Sequence, residues 1–112
     1  MSEWIIGGLY SVRSKQGGFK VIKILVIDEF AVHIRLYKQP FDVRPCGVDP
    51  GSLTVGTIHD KDGFGMGHMP LSPREFASWG PAFILQAAVV PEELEGYRYW
   101  KEHNGGIWDM QL

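Results

Sequence analysis

One cysteine in 112 residues rules out an internal disulfide and a cysteine-based zinc cage. Cys46 lies between Pro45 and Gly47 with no neighbouring base, which reads as an incidental thiol. No apolar run approaches the roughly 18 residues needed to span a bilayer. The opening MSEWIIGGLY lacks the basic region and cleavage signal of a secreted chain. A cytoplasmic protein without membrane association is therefore expected. Also missing are a nucleophile elbow, a Ser/His/Asp arrangement, internal repeats, heptads and low-complexity tracts. Glycines 63, 65 and 67 share composition with a phosphate loop but not its spacing or its Lys-Ser/Thr. Nothing implies a cofactor or a metal.

What is present is ordinary in bulk and uneven in detail. A hydrophobic share of 45% with 21% charged residues belongs to a folded globular chain, and the length suits one domain over residues 1–112. Fourteen glycines and seven prolines favour many short elements over long helices. The net charge of −2 hides an asymmetry. Residues 1–50 hold seven Lys/Arg against five Asp/Glu, and residues 51–112 hold four against eight. An excess of one sign marks either an anionic partner or a solvated face.

The densest β-forming run is GFKVIKILVIDEFAVHIRLYK, Gly18 to Lys38, which reads as a central hairpin. Its second arm alternates, with Val32, Ile34 and Leu36 on one face and His33, Arg35 and Tyr37 on the other. An odd-length loop, Asp28 to Phe30 or Ile27 to Ala31, places Ile22, Ile24 and Val26 with the first set. Lys23 then stands beside Arg35 on the second face. Trp4 to Val12 supplies a preceding strand, and the Gly17-Gly18 turn joins it to the hairpin.

Gln39 to Leu53, with three prolines and two glycines, has no period and reads as a long loop holding a turn at Asp49-Pro50-Gly51-Ser52. Thr54 to Leu71 is expected to form a second hairpin around Asp60-Lys61-Asp62-Gly63, a type I turn closed by a left-handed glycine. Ser72-Pro73-Arg74-Glu75 has the form of a capping box opening a helix that ends at Gly80-Pro81. Ala82 to Val90 reads as a buried strand, with a helical turn as the alternative. A last helix runs from Pro91 to about His103, acidic at its start and basic at its end. Ile107-Trp108 follows as a candidate anchor, and Asp109 to Leu112 is expected to fray.

Two constellations could carry chemistry. His59, Asp60, Asp62 and His68 gather within ten residues, as a metal site or hydrolytic dyad would require. The expected hairpin register sends His59 and His68 to opposite faces, His68 beside Met66, which argues against such a pair. The second face of the central hairpin offers Lys23, His33, Arg35 and Tyr37, a basic and aromatic mixture able to stack bases and meet phosphates. The competing arrangement has one of the two helices cover that face, its carboxylates pairing with these cations.

The run Gly8-x-Tyr10-x-Val12, the glycine turn, Phe19-x-Val21 and Val32-His33-Ile34-Arg35-Leu36-Tyr37 resembles the opening meander of SH3-like barrels of the Tudor or KOW type over residues 8–38. That resemblance implies a binding module rather than an enzyme, with Tyr10 and Tyr37 as candidate ring contacts. The expected fold is α+β: a strongly bent antiparallel sheet or partly open SH3-like barrel with two short helices packed on it. The expected function is a non-enzymatic module binding a protein or peptide partner through Tyr10, Lys23, His33, Arg35 and Tyr37. An RNA-binding module using the basic and aromatic face is the alternative. A small hydrolase or metal-dependent enzyme using His59, Asp60 and His68 is the second.

Overall fold

The computed structural model describes residues 4–56 and 65–108. The expected turn at Asp60 to Gly63, together with His59 and Asp60, lies outside the described residues, as does the stretch Asp109 to Leu112. Five strands form one antiparallel sheet: β1 (Gly8–Arg13), β2 (Phe19–Ile27), β3 (Val32–Leu36), β4 (Met66–Leu71) and β5 (Ala82–Gln86). Their order across the sheet is β4-β3-β2-β1-β5, so the sheet stays open, and two short helices pack against it. These are α1 (Pro73–Ser78) and α2 (Glu95–Glu102), the latter entered through a 3-10 turn over Pro91–Leu94.

The first three strands pair consecutively, as the hydrophobic pattern requires. Gly17 and Gly18 both take positive φ, 93° and 68°, which makes the tight β1–β2 turn possible. Ile22 opposes Leu36, Lys23 opposes Arg35 and Ile24 opposes Ile34, the register expected from an odd loop. Beyond Ile24 the structure departs from that expectation. Val26 opposes His33 and Ile27 opposes Val32, so Leu25 is an extra residue and Val26 shares the face of His33.

The local cause is the Asp28 side chain. Its Oδ1 accepts from the Phe30 and Ala31 N–H groups at 2.9 and 2.7 Å, while the Asp28 N–H donates to the Ala31 carbonyl. This closes a four-residue loop, and a bulge reconciles the even loop with the odd register. Two further register shifts occur, between Leu9 and Tyr10 on β1 against β5, and between Ile34 and Leu36 on β3 against β4.

Both faces of the sheet are packed. The first carries Tyr10, Val12, Ile22, Ile24, Val32, Ile34, Leu36, Met69 and Leu71, closed by Phe76 of α1 with Trp4 and Trp79. Phe76 meets Trp4 edge-on at 4.8 Å between ring centroids. The second carries Leu9, Val21 and Tyr37, with Leu53 buried against them and Phe41, Val48 and Val55 alongside. The Gln39–Leu53 stretch is thus a strap rather than a free loop. Phe41 exchanges backbone hydrogen bonds with Phe19 at 2.7 and 2.8 Å. Arg44 donates to the Ser11 carbonyl, the Ser11 hydroxyl and the Gly80 carbonyl while lying over the Phe19 ring. Sequence pattern missed this because the strap holds its place through a guanidinium and backbone groups, not a period.

Ala82 to Gln86 is a strand, but an edge strand, half-buried with Phe83 51% exposed, rather than a buried one. Its apolar residues fall at both parities because Tyr10 takes Phe83 on one face and the second core takes Ile84 and Leu85 on the other. At the opposite edge Trp108 bridges Leu71, donating to the Pro70 carbonyl and accepting from the Ser72 N–H. Ile107-Trp108 therefore anchors the chain as expected.

The start of α1 refines the capping box. The Ser72 hydroxyl accepts from the Glu75 N–H at 3.0 Å, so the cap is made. Glu75 does not reach back: it is buried, and its Oε1 accepts from the Trp79 indole at 2.8 Å. The Ser72 N–H goes to Trp108 instead. Ser72→Ala is expected to destabilise the protein by about 1 kcal/mol in denaturant melts, and an unchanged midpoint would remove the cap from the account.

Candidate functional site

The residues singled out in the sequence do not form one open surface. Tyr10 is on the first face, buried against Phe76 and Phe83, with its hydroxyl accepting from the Ile5 N–H at 3.0 Å. Lys23, His33, Arg35 and Tyr37 share the second face. Lys23 is 5% exposed and His33 is wholly buried. Arg35 is half-buried beside Gly67 and the Tyr37 hydroxyl, and Tyr37 is itself buried. Burial, with the Glu93 charge adding to it, pushes the Tyr37 phenol above its ordinary range.

The covering elements are the 3-10 turn and α2. Lys23 Nζ donates to both Glu93 carboxylate oxygens, at 2.9 and 3.2 Å, and to the Ala88 carbonyl at 2.8 Å. The ammonium therefore has both a counter-charge and a carbonyl acceptor, as a lysine this deep requires. Glu93 Oε1 also accepts from the Val90 N–H at 3.0 Å, so one carboxylate caps the 3-10 turn and neutralises the sheet cation. Of the competing arrangement the structure shows one pairing: the 3-10 turn leading into α2 supplies one carboxylate, Glu93, to Lys23.

Beside that ion pair lies a chain of three titratable groups. His33 Nε2 is 2.7 Å from Asp28 Oδ2, and His33 Nδ1 is 2.8 Å from His68 Nε2. The same loop that uses Asp28 Oδ1 for its backbone thus presents Oδ2 to the imidazole. His68 reaches His33 because of the β3–β4 register shift. Leu36 opposes Met66, yet Ile34 opposes Met69, which leaves two residues of β4 against Arg35. Met66 packs with the first core, while His68 turns to the second face, so the expected sharing of a face by Met66 and His68 is overturned.

Tyr97 and Trp100 of α2 close over His33 edge-on, at 4.7 and 4.5 Å between centroids. The helix comes this close because residue 96 is glycine: a Cβ there would lie 2.6 Å from the His68 Cβ.

The protonation chemistry follows from the contacts. Burial alone would raise the Asp28 carboxyl, but the hydrogen bonds from His33, Phe30 and Ala31 and the His33 charge outweigh it and hold it below its usual value. An ionised Asp28 fixes the His33 Nε2 proton. The Nδ1–Nε2 contact then takes one proton, on either ring. Burial, with the charge of His33, lowers His68 to about 4. Among the described residues no three His, Cys, Asp or Glu groups converge as metal ligands, and no helix is long and apolar enough to cross a membrane.

Comparison with protein-family models, with curated proteins and with solved structures finds no match to this chain.

Gly96 offers a test of the packing with an inverted sign. Glycine to alanine inside an exposed helix normally stabilises by about 1 kcal/mol. Here Gly96→Ala is expected to lower the melting temperature, because the new methyl meets the backbone-proximal part of His68. A gain in stability would place α2 farther from the sheet.

Proposed function

We propose that this protein is a non-enzymatic interaction module that takes an extended segment of a protein or peptide partner along the β5 edge. One observation carries the reading: β5, Ala-Phe-Ile-Leu-Gln, contains no charged residue and no proline, and among the described residues no strand pairs with its outer side. Sheet edges in soluble proteins are usually blunted by charge, proline or covering chain. The opposite edge has Pro70 and the Trp108 bridge, so among the described residues β5 is the edge left uncovered.

Exposed apolar side chains surround that edge. Phe83 lies against Tyr10, Ile5 is held to the Tyr10 hydroxyl, and the Ile6 carbonyl accepts from the Gln86 amide. Both isoleucines are exposed. An extended partner would add backbone hydrogen bonds to β5 and place alternate apolar residues over Phe83 and Ile5. Five residues of strand form a small contact for two rigid domains, whose stable association buries about 1,200 Å² or more. A flexible segment can follow the edge and then turn onto the isoleucines.

The likeness of β1–β3 to an SH3-like meander belongs to this reading as part of the proposal. The nucleic-acid alternative is weaker, because Lys23 is spent on Glu93 and His33 is enclosed.

Selection from a displayed library of random ten-residue segments tests the proposal. Enriched peptides are expected to be apolar at alternate positions and to lose binding when their backbone amides are N-methylated at alternate positions. Phe83→Lys should weaken them by about tenfold or more, the loss of a hot-spot contact, with the fold retained by circular dichroism. Binders indifferent to both changes, or none at all, would overturn the reading. Sedimentation of the free protein as a stable dimer would assign the edge to a second copy instead.

A further inference from the structure

We propose that the Asp28–His33–His68 chain is a proton-operated latch, holding the C-terminal helix on the sheet while the two imidazoles carry at most one shared proton and releasing it when a second proton binds. The inference is independent of what occupies β5 and rests on donor and acceptor counting. In the neutral pair, His33 Nε2–H donates to Asp28 and His68 Nε2–H donates to His33 Nδ1. The first added proton is accommodated without movement. His33 becomes a cation that donates from Nε2 to Asp28 and from Nδ1 to His68, whose Nε2 turns acceptor.

The second proton has no such place. It would set two N–H groups face to face across 2.8 Å and put two positive rings side by side, stacked at 5.1 Å between centroids. One ring must leave, and only His68 can, since His33 is wholly buried while His68 is half-buried.

Among the described residues, no further carboxylate is free to offset the second charge. Asp28, from the β2–β3 loop, is already engaged on the far nitrogen of His33. On β2, Lys23 is a cation whose charge is matched by Glu93 of the 3-10 turn; on β3, Arg35 adds another cation and Tyr37 a neutral phenol. β4 contributes His68 itself. From α2 the groups facing the pair are the Tyr97 phenol and the Trp100 indole, while Glu95, Arg98, Lys101 and Glu102 are exposed.

Displacement of His68 would strike α2 directly, because Gly96 sits on the His68 Cβ and Tyr97 and Trp100 close over the rings. The sign follows from linkage. His68 in the closed state takes its proton near 4, below the ordinary histidine value of about 6.5. The opened state therefore binds more protons between those values, and closure weakens as pH falls through that window.

The experiment is an imidazole nitrogen NMR titration of the full chain with amide hydrogen exchange across residues 91–102, corrected for the intrinsic pH dependence of exchange. One ring is expected to resist its proton until well below pH 6. Over the same range exchange of the α2 amides should rise with a slope approaching about tenfold per pH unit, the limit for one linked proton. The β1–β3 amides should stay protected. Ordinary titrations near 6.5 of both His33 and His68, assigned apart from His59 and His103, or α2 exchange that does not change with pH, would overturn the latch. His68→Gln keeps an N–H donor for His33 Nδ1 and cannot titrate; in it the acid step should vanish, and a step that persists also overturns the proposal. If that variant fails to fold, the wild-type titration decides alone.

Discussion

Lys23 stands near the middle of the central strand of the sheet with its ammonium directed into the protein. Much of the second half of the chain is arranged to meet it. A lone buried ammonium costs several kcal/mol, so the face it occupies cannot simply be covered with apolar side chains. It needs a counter-charge and acceptors delivered at a fixed point. The segment after β5 supplies them: the Ala88 carbonyl from the connecting chain and the Glu93 carboxylate from the 3-10 turn. Because Glu93 also caps that turn through the Val90 N–H, placing the carboxylate and starting the helix are one event. The route of residues 87–95 is thereby set by a charge on β2, about seventy positions earlier in the chain.

Once the helix start is fixed, what α2 lies on follows from two irregularities of the sheet. The bulge at Leu25 lets Asp28 close its loop and still present a carboxylate oxygen to His33. The register shift on β4 turns His68 out of the path of Met66 and into hydrogen-bond contact with His33. Without both, His33 would be an enclosed imidazole with at least one nitrogen unmatched. With both, its two nitrogens are satisfied and two aromatic rings complete the enclosure. Bulges re-aim side chains at the cost of local ladder bonds, and here two of them build a polar chain within an otherwise apolar layer.

Much of this was legible in the sequence, and the limit has a physical form. The alternation Val32-His33-Ile34-Arg35-Leu36 and the parity argument placed Lys23 opposite Arg35, because period 2 is enforced wherever a face is buried. Ser72-Pro73 and the acidic start at Pro91 marked both helices, since end effects are local. The charge asymmetry foretold the source of the Lys23 partner without naming Glu93. Bulges were not legible. A single inserted residue leaves composition and spacing intact and only exchanges faces beyond it, so Val26 and His68 were assigned to the wrong neighbours. The buried histidine pair was lost with them. The Arg44 strap escaped for a related reason, as its contacts to Ser11 and Gly80 are set by tertiary approach. One signal for the pair was present: a glycine at position 96, inside a helix that needs none for a turn, pointed to close approach by another element.

The open edge and the closed helix are joined by a short connection, and that bears on how independent they can be. β5 ends at Gln86, Ala87 still donates to Gly7, and Ala88 already serves Lys23. No flexible linker separates the strand from the ion pair that seats the helix. Release of His68 removes the contacts at the middle of α2 but leaves the Glu93 anchor, held by Lys23 at 2.9 Å and by the Val90 N–H at 3.0 Å. Opening therefore pivots about the 3-10 turn and does not peel the chain back to β5. On this geometry acid loosens the far end of the helix first, around Tyr97 and Trp100, while the strand edge keeps the register that Gly8 and Leu9 give it. A partner seated on β5 and a proton on His68 thus act on two ends of one covalent segment, with the Lys23–Glu93 pair as the fixed point between them.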